Sequence, residues 1–390
     1  MASAAKFLDT NASENVILLN PRWPTADAEA LTSLSVQAQQ DLNLKGHVWI
    51  ATSGSTAESA SATKLVALSR KAIVASAKSV NQFLQSTSED RWTQVLPSFH
   101  VGGMGIEVRA ALSGAAVVPA LKENRWDVDH YFSVLCAEAC TLSALVPTQV
   151  YDLVVGQYEA PGALRAIVVG GGALDPALYL KARELGWPLL PSYGMTETAS
   201  QIATADLKSL AQNEFPDIEL LSHAQARRND QGFLEVSAES LFTCYAQIQK
   251  DGPRWWNPKQ GSWFTTEDRG DVQGRVLTIE GRSKDYIKIG GEGTNMARLR
   301  LILDECTREL NPHAAQKITL LEVPSARLGH EVHLVSSLSN DQTEVLAQRY
   351  AEKVLPFEKV RHIHYVSEIP RSDLGKILWQ PLKKMCKLES

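Results

Sequence analysis

The sequence lacks several features that would indicate a location or a class of partner. No apolar run approaches the roughly 20 residues that a helix needs to cross a bilayer, and the first residues contain no apolar core of a secretory signal. Charge of neither sign dominates, because 39 Lys and Arg residues oppose 44 Asp and Glu residues. These absences predict a cytoplasmic protein with no membrane insertion and no nucleic-acid partner.

Cysteine is also scarce, with five residues among 390. The five are scattered and form no Cys-x-x-Cys motif, which is typical of a protein from a reducing compartment and argues against a thiolate metal site. Cys136 and Cys140 lie four residues apart on a predicted helix, where we expect buried apolar thiols.

What the sequence does contain is an alternating pattern of strands and helices. A chain of 390 residues exceeds the size at which one core keeps growing, so two or more domains are expected. Between residues 46 and 190, short apolar runs alternate with helical segments of about ten residues, which predicts an α/β fold with mostly parallel sheets. The predicted elements include a helix at residues 147–155 and strands at residues 166–169 and 188–190. Short strands after residue 215 predict a small β unit, and the pattern from residue 286 predicts a small α+β domain.

The most unusual stretch is residues 51–64, Ala-Thr-Ser-Gly-Ser-Thr-Ala-Glu-Ser-Ala-Ser-Ala-Thr-Lys, which lies between two apolar runs. Its glycine lets the backbone approach a ligand, its hydroxyls offer donors, and Lys64 adds a positive charge. These properties predict a loop that holds a polyphosphate. On these residues alone, an ordinary Ser-rich surface loop is an equally good interpretation.

Two further motifs follow predicted strands, where α/β folds place ligand sites. His100 lies in Leu-Pro-Ser-Phe-His-Val-Gly-Gly, in which glycines open a helix; a tight turn with an incidental histidine is the alternative. Three glycines at residues 170–172 would let a flat ring lie against the backbone.

A third motif, Ser-Tyr-Gly-Met-Thr-Glu-Thr-Ala-Ser, occupies residues 192–200. Glu197 is a hard oxygen ligand suited to Mg²⁺, and Tyr193 would stack on a base. The alternative is a helix start with Thr196 as its N-cap.

Three charged residues in the second half of the chain complete the set. Asp268 and Arg282 would hold a ribose; the alternative is a solvated hairpin with surface ion pairs that contribute little. Lys376 follows a Gly turn and would act as a mobile cationic donor; a single lysine of this kind is more often simply exposed.

In their order along the chain, these motifs resemble the AMP-forming adenylating enzymes, a superfamily of acyl-CoA synthetases, peptide-synthetase adenylation domains and firefly luciferase. The resemblance covers about residues 46–380. Segments at 96–105, 145–149 and 193–200 are most similar to the o-succinylbenzoate–CoA ligases of menaquinone synthesis. The seven matching segments are Thr-Ser-Gly-Ser-Thr…Lys, Leu-Pro-x-Phe-His, Gly-Gly-Ala, Tyr-Gly-Met-Thr-Glu, Thr-x-Asp-x-Gly, Gly-Arg-x-x-Asp-x-Ile and Pro-Arg-x-x-x-Gly-Lys.

Position by position, the resemblance implies roles for the site residues. Thr196 would contact the α-phosphate, and Glu197 would hold Mg²⁺. The residues implied to flank the adenine and the acyl group are Gly171, Gly172, Ala173, Tyr193 and Gly194. The residues implied to hold the ATP pyrophosphate are Thr52, Ser53, Gly54, Ser55, Thr56 and Lys64.

The same resemblance implies that Asp268 and Arg282 bind ribose and that His100 lies beside the acyl pocket. Lys376 would bridge the substrate carboxylate and the α-phosphate. Lys284 matches a hinge between a large domain, residues 1–283, and a small mobile domain, residues 284–390.

The implied function is an ATP- and Mg²⁺-dependent acid–CoA ligase, with a small-molecule carboxylic acid, ATP and coenzyme A as its partners and a homodimer as a further candidate assembly. Two alternatives stay open: an adenylating enzyme for another aryl or fatty acid, and a degenerate nucleotide-binding relative with little turnover. The last is favoured by the phosphate loop, where Ala57 and Thr63 replace the usual Gly and Pro and Glu58 adds an acidic group.

Overall fold

The chain folds into two compact units. One comprises Met1–Thr266 and Asp271–Thr278, and the other comprises Glu267–Gly270 and Ile279–Ser390. The fold is taken from a computed structural model, and the residues that it describes are 7–52, 63–282, 285–290, 292–325, 327–373 and 375–388, with the backbone alone at 312 and 313.

The larger unit contains two sheets and six helices within the described residues. Its helices are α1 (Thr25–Asp41), α2 (Arg70–Leu84), α3 (Val101–Ser113), α4 (Val128–Ala137), α5 (Pro147–Val155) and α6 (Pro176–Glu184). Its strands are β1 (Val16–Leu18), β2 (His47–Thr52), β3 (Lys64–Ser69), β4 (Arg91–Gln94), β5 (Ala116–Pro119), β6 (Leu142–Leu145), β7 (Ala166–Val169), β8 (Leu189–Met195), β9 (Ser200–Thr204), β10 (Ile218–Leu220), β11 (Ala224–Arg228), β12 (Phe233–Ala238), β13 (Cys244–Gln249) and β14 (Gly252–Trp256), together with parts of β15 (Phe264–Gln273) and β16 (Val276–Arg282).

The first sheet has the strand order β1-β2-β3-β13-β14. Strands β2 and β3 are antiparallel. Thr52, the last residue of β2, pairs with Lys64, the first residue of β3. Because side chains alternate between the faces of a strand, Val48 and Ile50 pack toward Ile73 of α2 and Met104 of α3. The opposite face packs against α1, and this cluster contains Leu31, Leu34, Ala38, Trp49, Leu65, Ala67, Cys244 and Ala246.

The second sheet has eleven strands, in the order β11-β12-β15-β16-β10-β9-β8-β7-β6-β4-β5. Five of them, from β8 to β5 in this order, are mutually parallel, whereas β9 runs antiparallel to β8. The parallel strands are nearly fully buried apolar runs, as expected when helices cover both faces. Their carboxyl ends therefore lie along one edge of the sheet.

The smaller unit is an α+β domain with its own core. Its elements are β17 (Tyr286–Ile289), β18 (Glu292–Asn295), α7 (Met296–Leu310), β19 (Ile318–Ser325), β20 (Gly329–Ser336), α8 (Asn340–Lys353), β21 (Val360–Tyr365) and α9 (Trp379–Met385). The strand order is β18-β17-β20-β19, and β21 pairs in parallel with β20. Apolar residues of α7 and α8, including Leu303 and Leu346, pack on one face of this sheet, whereas Leu382 of α9 packs in a separate cluster with Leu321 and Val335.

The predicted fold class is confirmed. The helix at residues 147–155 and the strand at residues 166–169 agree with the structure at both ends. The strands of the predicted small β unit are present and are divided between the two sheets. No helix in the described part of the chain is long and apolar enough to cross a bilayer.

Two local predictions need correction, and one strand was missed. The strand predicted at residues 188–190 continues to Met195, and β9 was not predicted at all. Both strands contain polar and small residues, so pairing between them, rather than hydrophobicity, defines their length. Cys140 is buried as expected, but it lies beyond the end of α4, and Cys136 near that end is exposed.

A buried carboxylate joins the amino ends of the parallel strands. Asp90, just before β4, accepts hydrogen bonds from Arg165 at 2.8 and 2.9 Å, from Thr141 at 2.7 Å and from the Thr87 backbone at 2.9 Å. Burial alone would raise the pKa of Asp90, but these bonds outweigh it and lower the pKa from 3.8 to about 2. The ionised form of Asp90 therefore stabilises the folded chain.

We expect Asp90→Asn to lower the free energy of unfolding by about 2 kcal/mol at pH 7, because the amide cannot replace the charged acceptor. The folded pKa lies below the unfolded one, so this contribution is present above pH 5 and is lost as pH falls toward 2. Urea unfolding of both proteins from pH 7 to pH 3 measures it. The exposed neighbour Glu89 provides the control substitution Glu89→Gln. A difference between Asp90→Asn and the wild type that stays constant over this range would contradict the prediction.

Candidate active site

Most of the predicted ligand loops of the larger unit lie at the carboxyl edge of the parallel strands. His100 follows β4 and is the residue that precedes α3. The glycine loop follows β7, and Gly171 has a φ of +79°, a conformation that favours glycine. Tyr193 and Gly194 lie within β8, and the Thr196–Thr198 turn follows it directly. The order of the strands therefore brings these motifs, which are distant in sequence, to one edge.

The central feature of this edge is a cluster of three side chains, Lys64, Glu197 and Tyr245. The Tyr245 hydroxyl donates a hydrogen bond of 2.8 Å to Glu197 Oε1, and the Lys64 Nζ lies 3.5 Å from the same oxygen. The Lys64 ammonium also lies 3.7 Å from the centre of the Tyr245 ring, in cation–π geometry. The Glu197 and Lys64 side chains are 14% and 30% exposed, so the carboxylate and the ammonium are shielded but reachable.

The turn that carries Glu197 is a single 3₁₀ turn, not the helix start with a Thr196 N-cap that we considered. The fully buried Thr198 hydroxyl donates to the Ser200 carbonyl at 2.7 Å and accepts from the Met195 amide at 3.1 Å. Ala199 and Ser200 then adopt φ values of +54° and +134°. Two consecutive non-glycine residues with positive φ represent stored backbone strain, which is typical of functional sites.

The first sheet, together with the segment that leads into β13, supports the same turn. The Phe242 amide donates a hydrogen bond of 2.8 Å to the Glu197 carbonyl. Tyr245 of β13 contacts the Glu197 side chain. Half-buried Lys259 in turn donates to the carbonyls of Phe242 and Thr243. Burial lowers the pKa of Lys259, and these carbonyl bonds satisfy its ammonium. Glu197 is therefore oriented by both its backbone and its side chain.

Other predicted residues of the larger unit have different contacts. Thr52 donates from its hydroxyl to the Lys64 carbonyl at 2.9 Å, so it anchors the strand that carries the lysine. Gly171, Gly172 and Ala173 are exposed beside the start of α5. The His100 ring lies 4.6 Å from that of Phe99. The predicted phosphate-loop residues Ser53, Gly54, Ser55 and Thr56, like Ala57 and Glu58, lie outside the described residues.

The predicted ribose and bridging groups belong to the smaller unit. Asp268 is buried, and Arg282 Nε lies 3.3 Å from its Oδ1. The structure therefore brings together the two residues that were predicted to act together. Lys376 is exposed on a turn in which the Ser372 amide donates to the Lys376 carbonyl at 2.8 Å. Lys284, the predicted hinge, lies outside the described residues.

Sequence reasoning missed Tyr245, Thr198 and Lys259. Tyr245 lies 48 residues from Glu197 and has no motif around it. Its one distinguishing feature in the sequence is the presence of two aromatic neighbours, Phe242 and Trp256. Such neighbours are equally typical of a hydrophobic core. Thr198 was part of a recognised motif, but its role depends on a turn that was not predicted.

The donor set of the cluster suits a nucleotide and a divalent cation. Glu197 offers carboxylate oxygen, which Mg²⁺ prefers, and Thr196 beside it offers a hydroxyl. Lys64 offers a positive charge to phosphate oxygens.

Comparison with known families identifies this architecture. A family model described as AMP-binding enzyme matches residues 10–224, which is more than half of the 390 residues.

The chain belongs to the AMP-binding enzyme family.

Curated relatives of this AMP-binding enzyme include two ligases for 2-succinylbenzoate. The 2-succinylbenzoate–CoA ligase of Bacillus licheniformis is 26% identical over 302 residues, which cover 74% of this chain and 60% of the relative. The Escherichia coli ligase of the same name is 28% identical over 316 residues, covering 80% and 64%. The indoleacetate–CoA ligase of Aromatoleum aromaticum is 28% identical over 351 residues, covering 84% and 64%. The chain thus spans about 60% of the length of these relatives.

A solved structure shows the same fold. The o-succinylbenzoate CoA synthetase from Bacillus subtilis, in complex with its acyl-adenylate intermediate, superposes with a TM-score of 0.70 at 24% identity, covering 86% of this chain and 68% of that one. At this identity the match establishes the architecture of the AMP-binding enzyme.

The close approach of β8 and β9 gives a stability prediction. A Cβ on Gly194 would lie 2.2 Å from the Ser200 carbonyl oxygen and 2.4 Å from the Gln201 Cα, so one of the strands would have to move. We expect Gly194→Ala to lower the free energy of unfolding by about 2 kcal/mol, measured by urea denaturation. The control is Gly162→Ala, which meets nothing within 4 Å. Equal stability of the two variants would refute the tight contact at Gly194.

Proposed function

We propose that this AMP-binding enzyme is an ATP- and Mg²⁺-dependent acid–CoA ligase that converts o-succinylbenzoate to its CoA thioester through an acyl-adenylate. The observation that carries the proposal is the cluster of Lys64, Glu197 and Tyr245 at the carboxyl edge of a parallel sheet. It combines an anion-binding group with a metal-binding group where this type of fold places ligands. The proposal also draws on the names of the relatives.

The first step of such a reaction brings a carboxylate to the α-phosphate of ATP, so two anions must approach. Positive charges that are oriented in advance stabilise such a transition state most effectively. In our proposal Lys64 attracts phosphate oxygens, and Glu197 holds Mg²⁺, which supplies further positive charge when bound. Thr196 donates its hydroxyl to the α-phosphate, and residues 52–56 hold the pyrophosphate.

Tyr245 is a positioning residue in this scheme. Its hydroxyl bond to Glu197 Oε1 orients the carboxylate, and its ring faces the Lys64 ammonium. In the absence of nucleotide, the Lys64–Glu197 pair satisfies both charges. Binding of the anion and the metal would exchange this pair for two stronger interactions, while Tyr245 keeps Glu197 in place.

We further propose that Asp268 and Arg282 bind the ribose and that Lys376 bridges the acid and the α-phosphate. Gly171, Gly172, Ala173, Tyr193 and Gly194 would flank the adenine and the acyl group, with His100 beside the acid. The domain boundary between residues 283 and 284, with a hinge at Lys284, is part of the same proposal. A rotation there would exchange Lys376 for CoA in the second step.

A second candidate substrate is another aryl acid. Indoleacetate–CoA ligase aligns with 84% of this chain, a larger share than either 2-succinylbenzoate–CoA ligase described above. Both acids contain an aromatic ring and a carboxylate on a side chain of that ring. ATP–pyrophosphate exchange with a panel of aryl and fatty acids separates them, because only a true substrate supports exchange.

We also propose a cytoplasmic location, supported by five cysteines that are all unpaired, which is typical of a reducing compartment. Assembly as a homodimer stays a prediction.

The decisive experiment supplies o-succinylbenzoate, ATP and CoA and measures pyrophosphate release by the wild type and by the Lys376→Ala variant. If Lys376 bridges the acid and the α-phosphate, the variant loses adenylation but still forms thioester from CoA and supplied acyl-adenylate. If the wild type shows no turnover above the variant with any acid, the ligase proposal fails. Calorimetric binding of ATP without turnover would then favour a degenerate relative.

The role of Tyr245 gives a kinetic prediction. Tyr245→Phe keeps the ring beside Lys64 and removes the hydrogen bond to Glu197. A hydrogen bond to a charged group contributes roughly 1.5 kcal/mol, so we expect kcat/KM for ATP to fall about tenfold.

The KM for the acid should stay unchanged, and the variant should need more Mg²⁺. Tyr158→Phe, on the surface beside Asp129, is the control and should behave as the wild type. A change confined to the KM for the acid would contradict the positioning role.

A further inference from the structure

The smaller unit carries an unexplained concentration of histidine. Four of the nine histidines of the chain lie on two adjacent strands, His330 and His333 on β20 and His362 and His364 on β21. None of the proposed catalytic roles uses them. Imidazole side chains that converge in this way are the commonest protein ligands for transition metals.

A β-bulge decides which of these side chains face one another. Val332 pairs with Val360, but His333 pairs with His362, so Arg361 is an extra residue on β21. Without this bulge Arg361 would lie opposite His333, and both histidines of β21 would point to the other face of the sheet. The bulge therefore brings His362 and His364 to the face that carries Glu331 and His333.

The ligand atoms of three residues are close enough to share one ion. Glu331 Oε2 lies 3.6 Å from His333 Nε2 and 4.0 Å from His362 Nε2, and all three ligand atoms lie within 4.8 Å of one another. Ser325 donates a hydrogen bond of 2.8 Å to the other carboxylate oxygen, Oε1, which fixes the orientation of the Glu331 side chain.

A buried nitrogen provides the independent indication of a ligand. The His333 residue is 5% exposed, and its Nε2 has no hydrogen-bond partner among the described residues, although it points at the Glu331 carboxylate. An unsatisfied polar atom in such a position costs stability unless something binds it.

The opposite nitrogen of the same ring is already held. His333 Nδ1 lies 2.9 Å from His364 Nε2, and the two rings are stacked. A histidine that binds a metal through Nε2 carries its proton on Nδ1 and donates it to a neighbouring acceptor, which orients the ring. His364 can act as that acceptor.

We propose that Glu331, His333 and His362 form a binding site for a divalent transition-metal ion of the Zn²⁺ type, with His364 as the outer partner of His333. One carboxylate and two imidazoles are a common zinc ligand set, and a fourth position would be taken by water. Two ligands on tetrahedral zinc lie about 3.3 Å apart, so closure requires movements of about 1 Å. His362 can make them, because its side chain is 64% exposed.

A metal ion at this site would link β20 to β21. The ion would bind across the two strands beside the bulge and would stabilise the folded smaller unit by mass action. This site contains none of the residues in the ligase proposal, so either proposal can fail without the other.

The test uses the full chain without a histidine tag, freed of metal by a chelator and titrated with Co²⁺, whose visible absorption reports the ligand geometry. We expect the wild type to bind one equivalent and to melt at a higher temperature with the metal. His362→Gln should weaken Co²⁺ binding at least about tenfold. Because His362 is exposed, this variant should fold, and circular dichroism checks that it does.

His330→Gln is the matched control, because it changes a histidine on the same strand and on the other face of the sheet. It should bind Co²⁺ as the wild type does. Glu331→Gln should lose affinity without changing the number of histidines. The proposal is wrong if the wild type binds no stoichiometric Co²⁺, or if His330→Gln and His362→Gln weaken binding equally.

Discussion

The fold of the larger unit depends at one point on a connection between its two sheets. The turn after β8 belongs to the eleven-stranded sheet, but the groups that hold it, the Phe242 amide and the Tyr245 hydroxyl, belong to the first sheet and the segment leading into it. The Lys64 ammonium reaches the same carboxylate from β3. The strained backbone at Ala199 and Ser200 is tolerated because these contacts hold the turn in its conformation. Relative movement of the two sheets would therefore disturb the orientation of Glu197.

The proposed roles divide between the two units. The groups proposed for phosphate and metal, Lys64 and Glu197, lie in the larger unit, whereas Asp268, Arg282 and Lys376 lie in the smaller one. Within each unit the charged groups are paired, Lys64 with Glu197 and Asp268 with Arg282. Each pair orients its two groups and compensates their charges, so the groups proposed to bind ligands are organised in advance.

Sequence patterns predicted most of the fold because its strands are short, apolar and separated by amphipathic helices. They failed at β8 and β9, where Ser192, Gly194 and Ser200 carry no hydrophobic signal and pairing alone extends the strands. The candidate site was predicted where its residues lie in motifs, as Lys64 and Glu197 do. Tyr245 could not be found in this way, because its role arises from a register between β3 and β13 that no local pattern encodes. The same limit applies to His362, whose partner depends on a bulge.

The pairing of β2 and β3 has a consequence for how the predicted phosphate loop can change. Thr52 and Lys64 are paired, so both ends of the connecting segment, residues 53–63, are fixed by strands. Lengthening such a connection adds only about 0.6 kcal/mol of closure entropy for each doubling of its length. Insertions there leave Lys64 beside Glu197, because the lysine is located by the sheet and not by the loop. The position of this cation is thus set by the pairing of the strands, whatever the length of the segment before it.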